Sequence, residues 1–297
     1  MASLAPLAPL LKRTAFFAET HAIKSLFAAE RLVARFGNRI EALDGLLSRW
    51  QVLDSPTVNG PLSEAVRFPM EAVPDTRLRY VLRGAVFQFA YVAAVEIVRR
   101  HGVEALVLPD RTLALRRIGE MGHSYTIHRS FVDAIPRIQT DAERTLFAER
   151  YAEFVATQLM VNDFIDAGED IALDADPRSE DSVIDRVLAS PGFWGHNLTT
   201  LGTAYRNRAS FSDAEWRFVL ARLEQMAGND VALEGTSSTT SVEDAAVMLL
   251  ERGPKEAHGI TLADTALTLC DAVGSRIHER VAFVLTHFSQ MKNQPIR

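Results

Sequence analysis

The 297-residue chain has one cysteine, Cys270. That excludes an internal disulfide and any metal cluster built from cysteine alone, and it fits a reducing compartment such as the cytoplasm. Positive charge is in deficit: 32 Lys and Arg against 38 Asp and Glu leave a formal charge of −6. Nucleic acid is therefore not an expected partner, because binding it relies on a basic surface. Long apolar runs are missing too. The most apolar interior stretch, 84–98, carries Gln88 and Glu96 and falls short of the roughly 20 residues of a membrane span. The opening MASLAPLAPLLKR has no basic residue before its apolar run, and two prolines interrupt it. No export signal or membrane partner is expected, and the reading is of a soluble cytoplasmic protein. The Ala- and Arg-rich, Lys-poor usage suggests, by association alone, a GC-rich bacterial genome.

Signature motifs are also lacking. The chain holds no GxxxxGK[ST], GxGxxG, HExxH, GxSxG or DDxxD, which leaves phosphate-loop, dinucleotide, zincin, serine-hydrolase and terpene-synthase chemistries without support. Strand-like alternation bounded by turn residues is absent as well.

What is present is helical periodicity from end to end. With 47% hydrophobic and 24% charged residues, the composition supports a sizeable core. The expected fold is all-α: a compact multi-helix bundle of antiparallel helix pairs, one domain over 1–297. A lobe boundary is placed near 170–185, where the acidic run 163–181 ends. Helices are expected over 8–36, 39–53, 75–100, 110–120, 140–166, 183–189, 193–208, 212–227, 242–252, 262–273 and 276–291. Gly37-Asn38 reads as the stop of the first. Asp75, Thr140 with Glu143, and Thr240 with Glu243 read as caps.

The stretch 191–208, PGFWGHNLTTLGTAYRNR, draws most attention. As a helix it aligns His196, Thr200, Thr203 and Asn207 on one side, opposite Leu198, Leu201 and Tyr205. Short hydrogen-bonding side chains replace the Lys, Glu and Arg of an ordinary solvated face. Gly195 lets another group approach the backbone. His258, beside Gly259, introduces a second polar stripe of Thr261, Asp264, Thr265 and Thr268. Two such stripes facing one another across an interhelical gap make His196, Asn197, Thr200 and His258 the candidate catalytic set, with histidine as base or ligand. Phe193 and Trp194 read as packing beside it. Glu120 and His123 form E-x-x-H, the carboxylate–imidazole spacing of helical iron and manganese sites. With His128 nearby, Glu120, His123 and His128 are the candidate ligands for iron or another divalent transition metal. His21, His101, His278 and His287 read as surface or helix-end residues, and Cys270 as an inert core residue.

The function these features favour is an enzyme acting on a small-molecule substrate in an interhelical gap. Its expected subclass is metal-dependent or O2-using oxidoreductase, by fold-level analogy. The alternative is a non-catalytic helical scaffold that binds a ligand or a protein. Homo-oligomerisation stays open in either case.

Overall fold

The computed structural model describes Leu11 and residues 21–37, 61–65, 69–84, 87–119, 121–160, 179–235, 237–252 and 257–291. Among the described residues the fold is all-α, and none of them lies in a strand. The α-helices are α1 (His21–Phe36), α2 (Asp75–Arg83), α3 (Phe87–His101), α4 (Val103–Val107), α5 (Arg111–Arg116), α6 (His123–Ala134) and α7 (Asp141–Phe154). They continue with α8 (Glu180–Ala189), α9 (His196–Arg206), α10 (Asp213–Asn229), α11 (Val242–Arg252), α12 (Ala257–Val273) and α13 (His278–Gln290). No described helix is long and apolar enough to cross a membrane. The expected helix 39–53, most of 163–181, and the continuation of 140–166 beyond residue 160 lie outside the described residues.

Sequence and local structure agree at several helix ends. Gly37, with φ 56°, follows α1 in a left-handed conformation that suits glycine. Thr140 and Glu143 form the expected reciprocal capping box on α7. The cap of α11 sits one residue later than expected, where Ser241 Oγ accepts from the Asp244 amide at 3.1 Å. The expected single helix 75–100 is two helices. It breaks at Gly84, whose amide turns back to the Tyr80 and Val81 carbonyls; glycine makes such a break cheap. Asp75 is not a capping side chain. Its carboxylate takes Arg100 and His101 from the end of α3 instead.

The core forms two apolar clusters. One gathers Leu78, Tyr91, Ile97, Phe131, Phe147, Tyr151 and Phe154, and the other gathers Leu198, Leu201, Val219, Leu223, Ala263 and Leu285. α1 serves both: Ile23, Leu26 and Phe27 enter the first, and Ala28, Ala29, Leu32 and Phe36 the second. A helix buried on two sides needs apolar residues beyond one stripe, which explains the dense run ILFAALF read along it. Buried acids in the first cluster have partners, as burial demands. Tyr91 donates to Glu153 at 3.0 Å, Tyr151 to Asp110 at 2.9 Å, and the Ser63 amide to Glu149 at 2.7 Å. Cys270 is buried, and burial pushes its thiol up to about 12.

α1, α6, α9 and α12 close a ring, each packed against the next. Their cross-links ascend together. Between α1 and α12, the His21 and His258 rings lie 4.7 Å apart, Arg31 reaches Asp264 at 2.8 Å, and Arg35 reaches Asp271 at 2.6 Å. Between α9 and α12, His196 meets His258 and Arg206 meets Thr268. Between α1 and α6, His21 meets His123, and Glu30 meets Arg137 just past the end of α6. These helices therefore run in the same direction, so antiparallel pairing does not describe the centre of the bundle.

Acid should act on one surface joint. Ser212 and Glu215 cap α10 reciprocally, and Glu215 also accepts from Arg111. The Arg111 hydrogen bond foremost, opposed by burial and helped by the Ser212 amide and hydroxyl, lowers the Glu215 carboxyl from 4.5 to about 2. A lowered carboxyl stabilises the fold above its unfolded pKa and loses that effect as pH falls through the folded one. Between pH of about 4.5 and 2, Glu215→Gln should lose stability less steeply than wild type. Urea midpoints across that window measure this, and identical slopes would sink it.

Candidate metal centre

The ring positions four histidines at one level. His123 opens α6, His196 opens α9, His258 lies in the first turn of α12, and His21 is the first described residue of α1. Two left-handed glycines set the approach: Gly122 (φ 62°) before His123 and Gly195 (φ 75°) before His196. A β-carbon on Gly122 would lie 1.9 Å from Thr200 Oγ1, and one on Gly195 would lie 2.7 Å from the Leu262 side chain. The group that the bare Gly195 admits is therefore α12, and it carries His258 with it.

One ring nitrogen from each of the four histidines lies within 4.8 Å of the others. His123 Nε2 is 3.1 Å from His21 Nε2 and 3.0 Å from His196 Nε2. His258 completes the group, its ring 4.7 Å from that of His21 and 4.8 Å from that of His196. His21, His123 and His196 are buried and His258 is partly so. The His196 Nδ1 faces the Phe193 carbonyl. A carbonyl only accepts, so the proton sits on Nδ1 and the Nε2 lone pair points at His123. Burial chiefly, and next the neighbouring His123, His258 and Lys24, hold His196 well below its usual pKa. It is a neutral imidazole, the form that binds metal.

The turn before α9 braces this face. Trp194 takes a left-handed conformation (φ 52°) between Gly192 and Gly195, a cost of about 1–3 kcal/mol. Its ring stacks 6.0 Å from that of His258, and Phe193 stacks 6.1 Å from His196. Phe193 is nonetheless 68% exposed, so it is not the packed residue expected.

The candidate sets regroup. His123, expected as a ligand, joins His196 and His258, expected as catalytic, in one cluster. His21, read as a surface or helix-end residue, is 6% exposed and belongs to it. His128 does not. Its Nε2 meets the Val107 carbonyl at 3.1 Å among Tyr151 and Phe154, and burial lowers its pKa. Being five residues on, it leaves α6 in another direction from His123. Glu120 lies outside the described residues. Thr200 is fully buried against Gly122. Asn197 donates to the Ser190 carbonyl at 2.9 Å and to Asp230 at 2.6 Å, which ties the turn down. Asn197→Ala should cost about 1–3 kcal/mol, since it strands a buried carbonyl, while metal content stays unchanged. Denaturation with elemental analysis checks both; lost metal at unchanged stability would return Asn197 to the functional set.

Below the histidines the four helices continue in register. Three residues on stand Lys24, Thr126, Thr199 and Thr261; seven on stand Ala28, Ser130, Thr203 and Thr265. All eight line one recess, together with Arg31, Asp133 and Arg206 at ten on. It holds about 320 Å³ with its open mouth included, and its enclosed part is about the size of one water. Hydroxyls turn back on their own helices: Thr126 bonds Gly122 O, Thr203 bonds Thr199 O, and Thr265 bonds Thr261 O. Their oxygens keep lone pairs for whatever enters.

No known protein family, curated protein or solved structure matches this chain, so the reading of the site rests on its geometry.

Proposed function

We propose that this protein binds a divalent transition metal through His21, His123, His196 and His258, and that the metal serves chemistry on a small molecule held at the recess. One observation carries the proposal: three Nε2 atoms converge at 3.0 and 3.1 Å. A single proton on His123 cannot bridge both contacts in line, whereas a metal ion accepts every lone pair. Bonds of about 2.0–2.1 Å in a tetrahedron set ligand nitrogens roughly 3.3 Å apart, close to these separations. Four imidazoles without thiolate suit zinc, iron, copper or nickel better than magnesium or calcium.

An oxidoreductase using iron or copper is the narrower form of the same proposal. A closed metal site that only ties four helices together is the second reading, favoured by its four protein ligands and its burial. Elemental analysis of the purified chain tests the common core. About one transition metal per chain is the expected result. None, even after incubation with zinc, iron, copper and nickel salts, would refute it, and zinc alone would remove the redox form.

A further inference from the structure

We infer that the turn at Phe193 and Trp194 is a gate over the histidine level, and that metal enters and leaves past it, at His258, rather than through the recess. The inference deepens the metal reading and rests on it for what passes the gate. The gate itself rests on the turn.

Burial picks out the entrance. His21, His123 and His196 are buried, while His258 keeps partial exposure. Beside that ligand stands Trp194, its ring 6.0 Å from the His258 ring and tilted from it by only 20°. Chain direction separates this entrance from the recess. α9 runs from His196 past Thr199, Thr203 and Arg206, which line the recess. The turn precedes His196 and so lies at the other end, which gives metal and small molecule separate paths.

The base of the turn is tied. The Gly195 amide donates to the Gly192 carbonyl at 3.0 Å and the Asn197 amide to the Pro191 carbonyl at 2.9 Å. The tip is held by its ring stacks and by the Phe193 carbonyl on His196 Nδ1. Phe193 is 68% exposed and Trp194 only partly buried, so little packing opposes an outward swing. Gly192 and Gly195, at φ 81° and 75°, flank the tip as hinges. Trp194, at φ 52°, is a bulky residue in the region that favours glycine, a conformation that persists only where the surroundings impose it. Swinging out relaxes that backbone and offsets the lost stacking, which keeps the open state accessible. Opening also loosens a ligand. The Phe193 carbonyl belongs to the peptide joining the two tip residues, so one motion uncovers His258 and frees His196 to turn.

The test uses the full chain and two readouts. In the metal-free chain, diethyl pyrocarbonate should modify His258, followed by peptide mass mapping, at least about tenfold faster in Trp194→Gly than in wild type, because reaction follows the open fraction. His128, buried against the Val107 carbonyl, should react equally slowly in both. Glycine adopts positive φ without strain, so this variant should fold. Phe193→Ala, at an exposed position, should speed modification by a smaller factor and guards against a damaged Trp194 variant. In the zinc-loaded chain, uptake and release to a chelator should both quicken in Trp194→Gly, with Kd held within about threefold, since a gate alters the path and not its end states. Equal His258 modification in wild type and Trp194→Gly overturns the gate. Faster release at unchanged uptake also overturns it, since a residue that merely holds the bound ion would behave so. Should no zinc bind, the metal reading fails; faster His258 modification in both variants would still uphold the gate.

Discussion

His123→Ala should abolish metal binding and with it the metal-dependent part of the thermal stability. His123 is the hub of the cluster, with its Nε2 near those of both His21 and His196. At free metal about 1,000-fold above Kd, a ligand that binds only the folded state stabilises it by about 4 kcal/mol. For a chain of this size that corresponds to a rise in melting temperature of roughly 8–16 °C. Wild type should show that rise on adding metal, and His123→Ala should not. His128→Ala is the matched control, a buried histidine eliminated from the same helix. It should melt lower in the metal-free form, by about 1–3 kcal/mol, yet keep the full rise. A His123→Ala protein that gains as much from metal as wild type would end the four-histidine reading. An equal loss of the rise in both variants would mean only that α6 had been damaged.

Gly202→Ala should be a damaging substitution although it adds a single methyl. Gly202 lies in α9 where it crosses α12, and a β-carbon there would sit 2.3 Å from the Thr265 carbonyl oxygen and 2.7 Å from its carbonyl carbon. No side-chain rotation relieves a clash with backbone, so the helices must separate. Overpacking costs about 1–3 kcal/mol and sometimes more. Alanine's gain of roughly 1 kcal/mol in helix propensity offsets part of it. We expect a net loss of about 2 kcal/mol, or roughly 4–8 °C in melting temperature. Because α9 and α12 carry His196 and His258, metal affinity should fall in the same variant. A melt within about 0.5 kcal/mol of wild type, the range of an ordinary surface change, would show that the two helices are not so closely set.

Helical class was legible because the 3.6-residue period writes itself locally, and so do reciprocal caps such as Thr140 with Glu143. The centre was half legible. His196 and His258 stood out through their adjacent glycines and polar stripes, and His123 through an acid three residues before it. His21 gave no such sign, sitting in a helix apolar on two sides. A signal was there: HSYTIHRS, HNLTTLGT and HGITLADT each place a threonine three residues, and a serine or threonine seven residues, after a histidine. The polar line His196, Thr200, Thr203, Asn207 followed the right helix but mixed two faces, since Thr199 and Thr203 line the recess while Thr200 packs on Gly122. Pairing His123 with His128 failed because neighbours in sequence are not neighbours across a ring. The true companions of His123 are 102 residues before it and 73 after it.

That ring also governs how the chain must fold. Helices that run alongside one another in the same direction cannot be joined by a short turn, so each wall of the ring closes over a long excursion. The Arg31–Asp264 pair alone spans 233 residues. Loop-closure entropy is lost before such contacts repay it, and folding rates fall as contacts become more distant in sequence. The outer helices can pair early, while the four-histidine level assembles only once both ends of the chain have arrived. Refolding should be slow for an all-helical protein, and the four-histidine cluster should be the last part to become native.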